Sequence, residues 1–122
     1  MLVGERSKAR WRFYTTPAGA EVVSKEIHEV LQGKPPLIEL GTLMWRIEHD
    51  NVLDRDVRTL GRGLREARLS HAGNEYRLYY ALLTDGEHLL LGLKFHQKGS
   101  GGAQERAIET ARDRLAEWRS RI

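Results

Sequence analysis

The sequence predicts an α+β fold in two layers, with the element order β-α-α-β-β-β-α. Apolar residues recur at helical spacing in three segments and alternate with polar residues in four others. Three of the alternating segments follow one another closely after residue 63, separated by the turn residues Gly73-Asn74 and Asp85-Gly86. We therefore expect a mostly antiparallel sheet with helices on its apolar face and a polar face left open.

Length and composition limit the class of protein. The chain has 122 residues, of which 40% are hydrophobic, and this is enough for one globular domain over residues 1–122. Residues 1–9 are expected to be a flexible extension. The absence of cysteine excludes disulfides, thiol catalysis and thiolate zinc sites. No secretory signal or membrane-length apolar run is visible, so we expect a cytoplasmic protein without membrane contact.

The first half of the chain reads as one strand and two helices. Residues Arg10 to Thr15 alternate in polarity, and Thr16-Pro17 then offers an N-cap hydroxyl and a first-turn proline. Gly33 and Pro35-Pro36 are expected to end this first helix, and a second helix fits Leu37 to about His49. Asp50 to Arg58 reads as a polar link. The buried stripes of the two helices are predicted to comprise Val23, Ile27, Val30 and Leu31, and then Leu40, Leu43, Met44 and Ile47.

The second half reads as three strands and a helix. The strands are expected over Leu64–Ser70, Glu75–Leu83 and His88–Lys98. The glycine-rich segment Gly99–Gly102 has no P-loop context and reads as a hinge. A final amphipathic helix is predicted over Gln104–Ile122, with Ile108, Ala111, Leu115, Trp118 and Ile122 on its buried face.

The last strand sorts its side chains by polarity. If it alternates regularly, one face carries Leu89, Leu91, Leu93 and Phe95, and the other carries His88, Lys94, His96 and Lys98. Placed beside the two preceding strands, it gives the open face one histidine, one tyrosine, one carboxylate and four cations. These residues are Glu66, Arg68, Arg77, Tyr79, Lys94, His96 and Lys98.

Such a set of groups is what metal-independent cleavage of RNA requires. A base must remove the proton of the 2′-hydroxyl, an acid must protonate the leaving 5′-oxygen, and cations must stabilise the charged phosphorane. Histidine suits either proton-transfer role because its ordinary pKa lies near neutrality. Guanidinium groups bind phosphate oxygens in pairs, and Tyr79 offers a ring on which a base can stack.

Simpler interpretations of the same residues stay open. Arg68, Arg77 and Lys94 also fit a solvated sheet face, and Glu66 fits a salt-bridge partner of either arginine. His96 also fits an ordinary exposed histidine. The other histidines are scattered and no pair has metal-ligand spacing on one rigid element, so we expect neither a metal site nor a cofactor.

The order of these motifs resembles the HigB-like, phage-protein-related branch of the RelE/ParE toxin superfamily. The resemblance is carried by Gly61-Arg-Gly-Leu-Arg-Glu-Ala-Arg-Leu, Tyr76-Arg-Leu-Tyr-Tyr and Leu91-Gly-Leu-Lys-Phe-His-Gln-Lys, and it extends from about Arg10 to Arg119. These stretches are similar to the family's "G-L-x-E-x-R", "Y-R-h-h-Y" and basic "F-x-K-K" strand patterns, in which h is apolar.

The resemblance implies a toxin of a type II toxin–antitoxin pair. Such toxins enter the ribosomal A site, cleave mRNA there without a metal, and are silenced by a cognate antitoxin, here expected to carry a helix-turn-helix. By this likeness His96 is the expected general acid or base, and Arg68 and Arg77 bind the scissile phosphate. Lys98 and Lys94 give electrostatic support, and Lys94, Tyr79 and Glu66 are expected to contact the substrate.

The sequence also departs from the family pattern. The basic segment is Phe95-His-Gln-Lys, Gly99–Gly102 is unusually rich in glycine, and Arg65 stands where an aromatic residue is common. ParE-like members of the superfamily share the architecture but bind and poison DNA gyrase, and an inactive phage-derived relative is a further alternative. Convergence of His96, Arg68 and Arg77 on one phosphate site would favour the nuclease.

Overall fold

A computed structural model describes residues 9–84 and 88–121 and confirms the predicted α+β class. Its described part contains three helices and one five-stranded, mostly antiparallel sheet. The elements in chain order are β1 (Arg10–Phe13), α1 (Val22–Val30), α2 (Lys34–Glu48), β2 (Val57–Gly61), β3 (Leu64–His71), β4 (Asn74–Leu83), β5 (Leu89–Gln97) and α3 (Gly101–Arg119).

The strands lie in the order β1-β5-β4-β3-β2, so the last strand of the chain is next to the first. β1 pairs with β5 in parallel, and every other neighbouring pair is antiparallel. The turn between β3 and β4 consists of Ala72 and Gly73, which both have positive φ, as a tight two-residue hairpin requires. The predicted turn at Asp85-Gly86 lies outside the described residues.

One strand was not predicted from the sequence. β2 occupies part of the segment that reads as a polar link, and it pairs with β3 at the edge of the sheet. Three of its five residues are exposed, because an edge strand has only one neighbour. Its residues therefore lack the alternation of apolar and polar side chains that predicts a strand.

Three predicted helix boundaries are wrong. One is the start of α3, which lies at Gly101 and not at Gln104, so the helix begins inside the Gly99–Gly102 segment that reads as a hinge. Thr16-Pro17 does not begin a helix: the Thr16 hydroxyl accepts from the Ala20 amide at 3.0 Å and closes a turn, and α1 begins at Val22. Pro35-Pro36 lies in the first turn of α2 instead of ending α1. Proline is tolerated there because the first helical amides have no intrahelical acceptor.

The helices lie on both faces of the sheet, which corrects the expectation of a single helical layer. α2 covers one face, where the Trp11 indole donates to the Met44 carbonyl at 2.8 Å. α3 covers the opposite, polar face, where Gln104 donates to the Glu66 carboxylate at 2.9 Å. Small residues of α3, Ala107 and Ala111, are buried in that contact. The polar face is therefore closed at its centre.

A register shift in β5 changes which residues share a face. Tyr79 is opposite Lys94, but its neighbour Tyr80 is opposite Gly92, so Leu93 is an extra residue in β5. Regular alternation would place Leu91 on the face opposite Lys94 and His96. The bulge instead places Leu91, Lys94 and His96 on the same face, and the predicted grouping of Leu89, Leu91, Leu93 and Phe95 on one face is wrong.

Candidate active site

Three of the predicted site residues form a row across neighbouring strands on the polar face. His96 of β5 is directly opposite Arg77 of β4, and Arg77 is directly opposite Arg68 of β3. Directly paired residues project to the same face with Cβ atoms about 5 Å apart. The bulge at Leu93 is necessary for this row because it determines which face the side chains after Leu93 point to.

His96 is held by Tyr79. The Tyr79 hydroxyl and His96 Nε2 are hydrogen-bonded at 3.0 Å, and the two rings stack with centroids 5.5 Å apart. Partial burial lowers the pKa of His96 from its ordinary value of 6.5, and the positive charges of Lys94 and Arg77 lower it further. The imidazole is therefore neutral at pH 7 and able to accept a proton.

Tyr79 supports the site from within the core. Its side chain is fully buried, and burial together with the negative charge of Glu66 raises its pKa to about 12. The hydroxyl therefore keeps its proton at neutral pH. Stacking of a base on this ring requires an exposed face, so the predicted base-stacking role of Tyr79 is replaced by that of orienting His96.

Glu66 is the centre of a buried ionic network, which we call the Glu66 cluster. Its fully buried carboxylate lies 3.2 Å from Nε of Arg68, 3.4 Å from Nε of Arg58 and 3.7 Å from Nε of Arg77. Gln104 completes the shell. A carboxylate in this position neutralises arginines and does not meet a ligand, so Glu66 fits the salt-bridge interpretation and not substrate contact.

The arginines of this cluster differ in accessibility. Arg77 is only 5% exposed, and its Nη1 donates to the Tyr76 carbonyl at 3.0 Å and to Glu75 at 3.4 Å. Its Nε has no hydrogen-bond acceptor among the described residues, since Glu66 is too distant for a hydrogen bond. The Arg68 side chain is 35% exposed and reaches solvent more easily.

The two predicted lysines lie in different surroundings. Lys94 Nζ is 3.1 Å from the carboxylate of Glu26 in α1, which also binds Arg114 of α3 and the Phe95 amide. Much of the Lys94 charge is therefore balanced. Lys98 follows β5, where its amide donates to the Glu75 carbonyl at 2.7 Å and its side chain is exposed.

Four of the seven predicted residues border a cleft, and they border two clefts instead of one. The first, the His96 cleft, has a volume of about 210 Å³ and is lined by Lys94, His96, Ala103, Arg106, Ala107 and Thr110. The second, the arginine cleft, has a volume of about 570 Å³ and is lined in part by Arg46, Arg55, Arg68 and Arg77. The three residues predicted to converge on one phosphate therefore do so only in part. His96 is next to Arg77 through strand pairing, but Arg68 lines the arginine cleft and not the His96 cleft.

Sequence reasoning missed the contributions of helices to both clefts. Arg106 and Thr110 come from α3, and Arg46 comes from α2. Residues 103, 106, 107 and 110 share one helical face, and this spacing was the available signal. This spacing did not identify the cleft residues because the sequence does not show which face of the sheet α3 packs against.

Within residues 9–84 and 88–121, no group of three or more histidine, aspartate or glutamate side chains is placed to hold a metal ion. Over the same residues, no helix combines the length and apolar character needed to cross a membrane.

Comparison with known protein families gives a match. The family model described as Phage derived protein Gp49-like (DUF891) matches residues 39–116, from α2 into α3. The chain belongs to this family. The Gp49-like proteins are a RelE/toxin-like family, which confirms the resemblance at that level and not at the level of HigB. The matched segment contains all the predicted site residues. A search of curated proteins gives no significant match.

Proposed function

We propose that this Gp49-like protein is the toxin of a type II toxin–antitoxin pair and cleaves mRNA on the ribosome without a metal ion. The observation that carries the proposal is the setting of His96. Its imidazole is neutral at pH 7, is oriented by a buried tyrosine, and borders an open cleft with Lys94 and Arg106. Membership of a RelE/toxin-like family supports the same class.

The proposed reaction is transfer of a phosphodiester to the neighbouring 2′-hydroxyl. His96 accepts the 2′-hydroxyl proton, the 2′-oxygen forms a bond to phosphorus, and the bond from phosphorus to the 5′-oxygen breaks. The 5′-oxygen takes its proton from a water molecule, since the neutral imidazole of His96 acts as the base. The products are a 2′,3′-cyclic phosphate and a 5′-hydroxyl.

Cations of both clefts support the reaction in this proposal. Arg68 binds phosphate oxygens through the Nη atoms that Glu66 leaves available. The buried Arg77, whose Nη1 is held by Glu75 and the Tyr76 carbonyl, adds positive potential together with Lys94 and Lys98 and does not contact the phosphate directly. The partners that follow are mRNA, the ribosome and a cognate antitoxin of the helix-turn-helix type. Binding to RNA should weaken with added salt because each phosphate contact releases counterions.

Cleavage of mRNA by the purified chain tests the proposal. Bacterial ribosomes programmed with a defined mRNA are incubated with the protein in Mg²⁺ buffer that contains 1,10-phenanthroline, which removes transition metals and leaves the ribosomes intact, and the new ends are mapped. We expect ends with cyclic phosphate and 5′-hydroxyl groups, and a loss of at least about a hundredfold in rate for His96→Ala. His28→Ala, which changes an exposed histidine of α1, is the matched control.

Equal rates for the two variants would remove His96 from the mechanism, and uncleaved mRNA would remove the nuclease activity. One observation favours a ParE-like, gyrase-binding toxin: Glu66 and Glu75 already pair with the strand arginines, which lowers the charge available to RNA. Growth arrest on expression, with DNA damage and intact mRNA, would support that second candidate. Normal growth would indicate an inactive relative.

A further inference from the structure

The His96 cleft contains a cation that belongs to no sequence motif. Arg106, in the second turn of α3, lines the cleft together with His96 and Lys94. Its residue is exposed, whereas Ala107 beside it is buried against the sheet. The guanidinium is therefore carried at the solvent side of the cleft, where a ligand would enter.

Arg106 differs from the strand cations in its ion pairing. Arg68 and Arg77 lie beside Glu66, and Lys94 lies beside Glu26. Over residues 9–84 and 88–121, no carboxylate lies within 4.0 Å of the Arg106 guanidinium. An anion entering the cleft would meet a guanidinium whose charge is not already balanced by a carboxylate.

A glycine makes room for this arginine. A Cβ atom placed on Gly102 would lie 3.0 Å from Nη1 of Arg106, closer than most contacts of real Cβ atoms. Gly102 has no positive φ that would demand glycine, and glycine is unfavourable inside a helix. The adjacent Gly101 has nothing within 4 Å of the same position. The bare backbone at Gly102 thus lets the guanidinium fold back over the start of α3.

We propose that Arg106, seated over Gly102, binds a phosphodiester of single-stranded RNA in the His96 cleft, with the Thr110 hydroxyl as a further donor. The identity of the ligand rests on the proposed function. The planar guanidinium can donate two hydrogen bonds to one phosphate. Lys94 and Arg77 are the neighbouring cations, but their carboxylate partners hold them in place, and Arg106 makes the principal contact.

Binding of an RNA that cannot be cleaved tests the inference without relying on catalysis. The probe is a fluorescein-labelled single-stranded RNA of eight nucleotides with 2′-O-methyl groups, titrated by anisotropy at several salt concentrations. We expect Arg106→Gln to weaken binding about tenfold, as for loss of one charge-assisted hydrogen bond. The salt slope should fall by about 0.7, the contribution of one phosphate contact on a single strand.

Arg119→Gln is the matched control because it removes the same charge from the exposed far end of α3. We expect it to leave affinity and salt slope within about twofold of the wild type, since net charge alone has a weak effect. Equal weakening by the two variants would overturn the inference, and so would absence of wild-type binding.

The two glycines provide a second test. Gly102→Ala should shift the guanidinium by a few tenths of an ångström and weaken RNA binding by up to about twofold, whereas Gly101→Ala should bind like the wild type. Both proteins should be at least as resistant to thermal unfolding as the wild type, because alanine favours the helix over glycine. Weaker RNA binding by Gly101→Ala than by Gly102→Ala would overturn the placement of Arg106 over Gly102.

The RNA-binding test and the cleavage test fail independently. Loss of binding in Arg106→Gln without any ribosomal cleavage by the wild type would support the phosphate site and refute the nuclease. Cleavage by the wild type that persists at the same rate in Arg106→Gln, with unchanged probe binding, would support the nuclease and overturn the phosphate site.

Discussion

The Glu66 cluster and the His96 cleft lie side by side on one face of the sheet, yet they use the same kinds of residue differently. In the cluster a fully buried carboxylate lies among three arginines, so the positive charges hold β2, β3 and β4 together. In the cleft a histidine and the cations around it border open space. The position of an arginine on a strand therefore does not by itself make its guanidinium a phosphate ligand.

The difference arises from where the carboxylates lie. Glu66 lies on β3 and pairs with Arg68 of the same strand. Glu26 reaches the sheet from α1 and pairs with Lys94, so both carboxylates already balance a cation inside the fold. α3 brings Gln104 to the cluster and Arg106 to the cleft, only two residues apart. One helix therefore closes the first region and supplies a cation to the second. The following changes would break or sharpen this contrast.

The largest effect is expected from Glu66→Ala. Removing this carboxylate leaves Arg68 and the 95%-buried Arg77 without their shared counter-charge, which should lower the free energy of unfolding by about 3–5 kcal/mol. Urea denaturation at pH 7 measures the change. Glu75→Ala, at a side chain that is 46% exposed, is the control and should cost less than about 1 kcal/mol. Similar losses would show that the buried Glu66 carboxylate stabilises the fold no more than an exposed one.

A smaller effect is expected from Tyr79→Phe, at the residue that joins the two regions. This change removes the hydroxyl that orients His96 and should lower the free energy of unfolding by about 1 kcal/mol. It should also reduce RNA cleavage, because the imidazole loses its fixed orientation. Tyr76→Phe is the control, since Tyr76 packs on Phe95 on the opposite face. If the control were the more damaging change, the orienting role would be refuted.

The pH dependence of stability tests the environment of His96. Its pKa in the folded protein lies below the ordinary value of 6.5, so the unfolded chain binds the proton more readily. This contribution to stability is complete above the unfolded pKa and is lost as the pH falls through the folded pKa. Urea midpoints at pH 7.5 and 5.5 should therefore differ less in His96→Gln than in the control His28→Gln. An unchanged difference would contradict the burial of His96.

The smallest effect is expected on the pKa of His96 in Lys94→Met. The Lys94 charge lowers this pKa, and its removal also leaves the Glu26 charge, which raises it, less balanced. Both changes act in the same direction, so the pKa should rise when measured by NMR titration of the imidazole. Lys98→Met at the end of β5 is the control and should shift it less. A fall in the pKa would show that Lys94 does not control this site.

Much of the fold was predictable because its long elements have regular patterns. β3, β4 and the stripe of α3 follow the expected periods, and the turn chemistry around Gly73 identifies a hairpin. β2 was missed because an edge strand with three exposed residues has no alternating pattern. The bulge at Leu93 was missed because a single inserted residue does not alter local composition.

The residue types of the site were predictable from the sequence. Their division between the buried Glu66 cluster and the open His96 cleft was not. The row of His96, Arg77 and Arg68 follows from strand pairing, and the sequence places all three on one face if the phase of β5 is right. The burial of Glu66 depends on Arg58 and Gln104, which are distant in sequence and come from elements whose placement the pattern does not give. The role of Arg106 was hidden for the same reason.

The parallel pairing of β1 with β5 sets the order in which this protein can be completed during translation. β1 is synthesised first, but its partner residues, from Leu89 onward, are near the other end of the chain. β5 then fills the gap between β1 and β4, and α3 follows it. A nascent chain that stops before β5 therefore lacks His96 and Arg106, and it leaves β1 without a neighbour. Unfinished products would be incompletely folded and would lack the residues of the His96 cleft.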